Sequence, residues 1–180
     1  MEISDKSIVE QVKQGEVAAY SELVLRYQKP IFNLMFRFSQ STEEASELTQ
    51  DIFCTAFEKL STFKDDKKFF PWLYTLAMNH GRDWKRKNRR RADGLQHYTR
   101  HFSTETWAFT ENPLEKQEEV DQLFNGLAKL SDEKREILLL KFKKELSTRE
   151  LGEIFGLSDS GVKMRISRAL ATLQEVLGKG

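Results

Sequence analysis

Apolar residues recur through most of this chain with the 3.6-residue period of an α-helix, cease to do so between about Ala92 and Glu119, and then resume. No segment keeps a period of two for long and β-branched residues never cluster, so strands have no basis in the sequence. An all-α fold follows. A patternless stretch of that length is unusual inside one compact domain, so the gap predicts two small helical domains, 1–91 and 120–180, joined by a flexible linker over 92–119. Each domain is small, and 180 residues suffice for the pair.

In the first half, Ile8, Val9 and Val12 give a short amphipathic helix that stops near Gly15. Tyr20, Leu23, Val24, Tyr27, Ile31, Leu34, Met35 and Phe38 then hold helical spacing with Pro30 among them, as one kinked helix or two successive ones. Ser41 and Glu44 have the form of a capping box. The helix they open has a core stripe of Ala45, Leu48, Ile52, Phe53, Ala56, Phe57 and Leu60. Its other face carries Glu47, Gln50, Asp51, Cys54 and Glu58, either a solvated surface or an acidic docking face.

The stretch from Phe63 to Arg91 carries the densest chemistry. Pro71 suits a first helical turn, where a missing N–H costs nothing, and Leu73, Leu76, Ala77, His80 and Trp84 form an expected core stripe. Opposite them lie Thr75, Asn79, Arg82, Asp83 and Arg86, and the helix runs out into Lys87, Arg89, Arg90 and Arg91. Phe69, Phe70, Trp72 and Tyr74 precede the cations. Cations hold phosphates, aromatics stack on unpaired bases and amides bond base edges, so the stretch has the parts of a nucleic-acid reader. Aromatics at helical spacing serve equally well as core, and a basic run favours any helix C-terminus.

In the second half, Val120, Leu123, Phe124, Leu127 and Leu130 restore helical period. Ser131 or Asp132 then caps a helix with Ile137, Leu138, Leu140 and Phe142 expected inward. Ser147 caps a short helix ending at Phe155, Gly156 makes a turn, and Ser158 caps a last helix with Val162, Ile166, Ala169, Leu170 and Leu173 expected inward. Helix, glycine turn, capped helix is the helix-turn-helix arrangement, with Leu151, Gly152, Phe155, Leu157, Val162 and Ile166 as its expected buried set. In such units the second helix enters the major groove, and its outward face here offers Ser160, Lys163, Met164, Ser167 and Arg168, flanked by Arg165.

Charge is distributed rather than uniform. Arg82 to Arg91 holds seven cations and one acid, while Glu105 to Asp121 holds six acids and one cation, although the net charge is only +1. Opposed blocks of this kind suit two different partners. Cys54 is the only cysteine, which excludes an intrachain disulfide and a cysteine-based zinc site. His97 and His101 stand four apart with no helix evident and no third ligand close, so they do not make a metal site. Three scattered histidines, no phosphate-cradling glycine loop and no clustered nucleophile leave nothing for catalysis, and no cofactor is expected. The N-terminus lacks an apolar signal core and no run reaches membrane-spanning length, so the expected location is cytoplasmic, without membrane insertion.

With these residues set out, the chain resembles a bacterial RNA polymerase sigma factor of the extracytoplasmic-function (ECF) class, within the sigma-70 family. The segment ELTQDIFCTAF resembles the family's helix that grips the clamp helices of the polymerase β′ subunit. FFPWLYTLAMNHGRDWKRKNRR resembles the segment that reads and melts the −10 element. SDEKREILLLKF followed by STRELGEIFGLSDSGVKMRISRAL resembles the −35 reading domain. The resemblance implies that 1–91 is the region 2 domain and 120–180 the region 4 domain. It implies that Glu47, Gln50 and Asp51 bind polymerase, and that Phe63, Lys64, Trp72, Asn79, Arg82, Asp83 and Arg86 serve the −10 element and melting. Ser160, Lys163, Met164, Arg165, Ser167 and Arg168 would read the −35 element. It further implies a contact with the β flap, an acidic linker threaded into polymerase, and an anti-sigma factor that holds the free protein silent.

The loop from Phe63 to Lys68 would then receive a base turned out of the duplex, its unstacking offset by capture and by stacking on the exposed step. This is binding chemistry, with no bond made or broken. Two positions depart from the family's habit: Glu145 stands where glycine is frequent, and Gly152 where alanine is usual. A stand-alone helix-turn-helix regulator is the alternative. Such a protein needs no polymerase-binding face and normally dimerises to read repeated half-sites.

Overall fold

The computed structural model describes residues 3–64, 66–89 and 117–178. Residues 92–116 of the predicted linker, with its aromatics, His97 and His101, and Arg90 and Arg91 therefore lie outside the described residues, residues 117–119 belong to a helix, and of Arg89 and residues 117–121 only the backbone is described. All regular structure among the described residues is helical. The chain divides into two compact units between Tyr98 and Thr99.

The first unit holds α1 (Asp5–Lys13), α2 (Tyr20–Ser39), α3 (Thr42–Glu58) and α4 (Phe69–Arg89), with short 3-10 turns at Val17–Ala19 and Leu60–Thr62. Pro30 lies within α2, which is one helix. The ring forfeits a single backbone bond there, and burial of Leu23, Ile31, Leu34 and Met35 on one side carries the helix across it. The helix stops at Gln40, whose N–H still donates to the Phe36 carbonyl at 2.8 Å while its φ of 57° turns the following chain out of the helix. Ser41 caps α3 by accepting from the Glu44 N–H at 3.3 Å.

Two tyrosine hydroxyls tie this unit together. Tyr20 donates to the Phe53 carbonyl at 2.8 Å, and Tyr27 donates to the Asp5 carboxylate, which also receives Arg26. Burial pushes both phenols above their ordinary pKa, helped by Cys54 at Tyr20 and by Asp5 at Tyr27.

The buried stripe of α4 is rotated from the expected one. Leu73, Tyr74, Ala77, Met78 and Gly81 are buried, whereas Leu76, His80 and Trp84 are half-buried. Gly81 allows the rotation, because a Cβ there would lie 2.4 Å from the ring of Phe38 on α2. Phe57, expected inward on α3, is 38% exposed.

The second unit holds α5 (Gln117–Lys129), α6 (Asp132–Leu138), α7 (Thr148–Phe155) and α8 (Asp159–Leu177). Ile137, Leu138, Leu140, Leu146, Leu151, Ile154, Val162, Ala169 and Leu173 form its core. Ile154 takes the place expected for Phe155, which is half-buried with Leu157 and Ile166, and Leu170 and Leu123 are exposed. Phe142, expected inward, is 60% exposed. Its outward turn has a backbone cause: Phe142 lies within Leu139–Lys143, a π-helical turn in which the Lys144 N–H reaches the Leu139 carbonyl five residues back, so it falls out of phase with the 3.6-residue period.

Arg135 is 5% exposed and structural. Its guanidinium donates to the carbonyls of Leu127 at 2.7 Å and of Ala128 and Leu130 at 2.8 Å, acceptors in the last turn of α5 and just past it. Ser131 is the cap residue of α6 but makes no side-chain bond there.

Candidate nucleic-acid interface

The helix-turn-helix is built by local chemistry. Ser147 accepts from the Glu150 N–H at 3.2 Å while the Glu150 carboxylate accepts from the Ser147 N–H at 2.7 Å, a complete capping box that opens α7. Gly156 ends α7 at φ 68°, in the left-handed region that glycine enters without penalty. The Leu157 N–H then bonds back to the Gly152 carbonyl at 3.0 Å. Gly152 is needed at that crossing: a Cβ on it would lie 2.7 Å from the Leu157 carbonyl oxygen. Ser158 caps α8 by accepting from the Gly161 N–H at 3.2 Å.

Five of the six predicted −35 residues form one open face on α8. Ser160, Lys163, Met164, Ser167 and Arg168 are exposed, at spacings of three and four that place them side by side on the helix. Arg165 differs. It is half-buried, its guanidinium 5.9 Å from the centroid of the Phe155 ring and 3.9 Å from the Glu133 carboxylate, so α6 and α7 brace it. The free face pairs two cations with two hydroxyls and a methionine, a set suited to phosphate anchoring with neighbouring contacts to base edges.

The first unit presents its cations differently. Asn79, Arg82, Asp83 and Arg86 are exposed along one side of α4, as predicted, while Thr75 is half-buried and donates to the Pro71 carbonyl at 2.8 Å. Arg86 lies 3.1 Å from Asp83, with both side chains well solvated. Exposed pairs of this kind contribute well under ~1 kcal/mol, so a phosphate can compete for the arginine. Lys64 is exposed at the start of the loop, where its carbonyl receives the Lys67 N–H at 3.1 Å.

The aromatic cluster requires a correction. Phe63 is 5% exposed, Phe69 2%, Phe70 7% and Tyr74 0%, so none offers a ring face to a base. Phe63 packs against Phe69 and Trp72, with centroids 5.9 and 5.1 Å away. What Phe63 brings to the loop is backbone. Trp72 alone of the set is half-buried.

Glu47, Gln50 and Asp51 are all exposed on α3, within little more than one turn. Beside them a groove of about 1040 Å³ runs between α2 and α3, lined by Val17, Tyr20, Val24, Phe32, Phe53 and Phe57, with Gln50 also on its wall. Sequence periodicity assigns Phe57 and Phe53 alike to the core and so misses the groove. Cys54 is exposed on the same stretch of α3. Among the described residues no group of acidic, histidine or cysteine side chains is arranged to hold a metal, and no helix is long and apolar enough to cross a membrane.

Comparison with known proteins places these surfaces in context. Residues 23–91 match the model of sigma-70 region 2, and residues 126–175 match that of sigma-70 region 4. The chain is similar to the ECF RNA polymerase sigma factor SigW of Bacillus subtilis, at 29% identity over 98% of each sequence. Its fold is similar to that of CnrH in complex with the cytosolic domain of CnrY, at a TM-score of 0.61 and 24% identity over 97% of each chain. It is also similar in fold to RpoE of Bartonella quintana in complex with the anti-sigma factor NepR, at a TM-score of 0.62 and 23% identity, over 88% of this chain and 96% of that one.

Proposed function

The chain belongs to the sigma-70 family as an ECF-type sigma factor, and from that premise we propose how its surfaces divide the work of promoter-specific initiation. The outward face of α3, with Glu47, Gln50 and Asp51, docks on core RNA polymerase. The adjoining apolar groove suits a helical partner, which the clamp helices of the β′ subunit supply, and the second unit meets the β flap. Lys163, Met164, Ser167, Arg168 and Ser160 on α8 read the −35 element in duplex form, with Arg165 as a braced flank. Asn79, Arg82, Asp83 and Arg86 on α4 engage the −10 element, while the loop beginning at Lys64 receives a base extruded from it and Trp72 lends its partly open ring.

The observation that carries this reading is the exposure of both basic faces and of the acidic α3 face on a chain that matches region 2 and region 4 in order. The protein acts by binding alone, without catalysis, in the cytoplasm where polymerase and promoter are found. NepR is an anti-sigma factor bound to RpoE, and a partner of the same kind holds this chain inactive by covering its reading surfaces.

The test is transcription in vitro by core polymerase with and without the purified protein, with 5′ ends of the transcripts mapped. Defined starts, dependent on the protein and preceded by a shared pair of boxes, are expected. Transcription from no promoter, with no inhibitor present, overturns the proposal. A stand-alone regulator instead binds DNA tightly without polymerase and leaves initiation by core unchanged.

A further inference from the structure

Helix α1 lies ahead of the span matched to region 2, which begins at residue 23, yet it is fastened to that span at both ends. At its start, Asp5 receives Arg26 and Tyr27 of α2. At its end, the Lys13 Nζ donates to the Phe63 carbonyl oxygen at 2.8 Å and sits 5.8 Å from the centroid of the Phe63 ring. Ile8, Val9 and Val12 bury the face between the two ties.

Phe63 is the point at which the loop leaves the core. Its ring is buried, its N–H bonds the Leu60 carbonyl at 3.1 Å, and the next residue, Lys64, is exposed and opens the turn closed by Lys67. Side chain and N–H are thus held by the local fold, and the carbonyl by a residue fifty positions earlier. A donor that is charged makes a stronger bond than a neutral one. A binding loop whose backbone is already fixed loses less entropy when it takes up its ligand.

We propose that Lys13 is a positioning residue for promoter melting: its ammonium, by holding the Phe63 carbonyl, fixes the direction in which the base-receiving loop departs from the core. The inference rests on the assignment of that loop as the receptor for an extruded base, and its test separates the two. Lys13→Met keeps the aliphatic stem and removes the donor, while Lys13→Arg keeps a charged donor.

Hydrogen exchange of the full-length chain is measured first. Lys13→Met should raise exchange at the amides of Lys64, Lys67 and Lys68 several-fold, with α3 unchanged and Lys13→Arg close to the parent chain. Holoenzyme made with each variant is then titrated with a non-template-strand oligonucleotide covering the −10 box of a promoter that the parent chain uses in vitro. Lys13→Met should bind it about tenfold more weakly, a loss in the range of one charge-assisted hydrogen bond, while affinity for core polymerase stays constant and Lys13→Arg restores binding. Equal exchange and equal oligonucleotide affinity in Lys13→Met and the parent chain overturn the proposal. So does an equal loss in both variants, which makes Lys13 a packing element only. If exchange rises as expected while oligonucleotide affinity is unchanged, Lys13 fixes the loop but the loop does not receive a base; the proposal falls through its premise.

Discussion

The two units bury different kinds of side chain that could otherwise meet nucleic acid. In the first, the aromatics that look made for stacking on bases are packed inside: Phe63, Phe69, Phe70 and Tyr74 are all buried. In the second, a cation is packed inside as well, with Arg135 closing the end of α5. What remains outside is a solvated side of α4 with its loop, and a bare face of α8. The difference teaches that residue type proposes a role and burial decides it. A ring or a guanidinium that satisfies neighbours in its own chain is not available to a ligand.

The largest expected effects break or uphold that contrast directly. Phe63→Ala should destabilise the first unit by about 3–4 kcal/mol, the usual cost of emptying a phenylalanine site in a core. Arg135→Ala should cost the second unit about 3 kcal/mol, because three carbonyls at the end of α5, one of them in a buried bond, lose a charged donor. Denaturant titration of the full chain measures both, with residue-level hydrogen exchange reporting on each unit separately. A stable Phe63→Ala protein with impaired −10 binding would reverse the assignment of Phe63 to the core.

The next effect sharpens the contrast within α8. The double variant Lys163→Ala, Arg168→Ala should weaken binding to a −35 duplex and lower the salt dependence of log K by ~0.9 for each phosphate that is no longer neutralised. Arg165→Ala should change that slope less, since its guanidinium is held against Phe155 and Glu133. An unaltered slope in the double variant would mean that neither side chain meets the DNA backbone.

Alkali should separate the units without mutation. The neutral phenols of Tyr20 and Tyr27 are favoured by folding, and their pKa values lie above the ordinary 10.0. Their stabilising contribution is complete below about pH 10 and declines as pH rises beyond it, because the unfolded chain gives up those protons first. The second unit contains no tyrosine from residue 117 onward. Denaturation midpoints followed by the fluorotryptophan NMR signals of Trp72 and Trp84 should fall between pH 9 and about pH 11 for the first unit, with no tyrosine contribution in the second.

The smallest expected effect is a gain. Glu145 adopts a φ of 51°, with the Leu146 N–H bonded back to the Leu140 carbonyl at 3.1 Å, the geometry of a helix end that glycine fits best. Glu145→Gly should therefore stabilise the second unit by up to about 1 kcal/mol. Unchanged or lower stability would show that the side chain repays its strained backbone.

Much of this architecture is legible in the residues themselves. Helical period marks the helices, and Ser41, Ser147 and Ser158 are readable as caps because a short oxygen side chain before an apolar run has one common use. The exposed faces of α3 and α8 follow from the same spacing. The differences have specific causes. Periodicity displaces the α4 stripe because it does not mark Gly81 as a crossing point, although the lack of a Cβ there admits the Phe38 ring. It turns Phe142 inward because a π-helical turn breaks the 3.6 period without a sequence mark. Arg135 is invisible to it because a buried cation is recognisable only once the carbonyls around it are known. Pro30 is ambiguous, since a proline in a helix can be carried by packing that periodicity does not weigh.

The central claim is that one face of α3 serves polymerase while other surfaces serve DNA, and core binding by the variant Glu47→Ala, Gln50→Ala, Asp51→Ala tests it most directly. The account predicts affinity for core polymerase at least about tenfold weaker, as for removal of a docking cluster, with binding of the −35 duplex by the free protein within about twofold of the parent chain. Undiminished core affinity in a folded triple variant would contradict it.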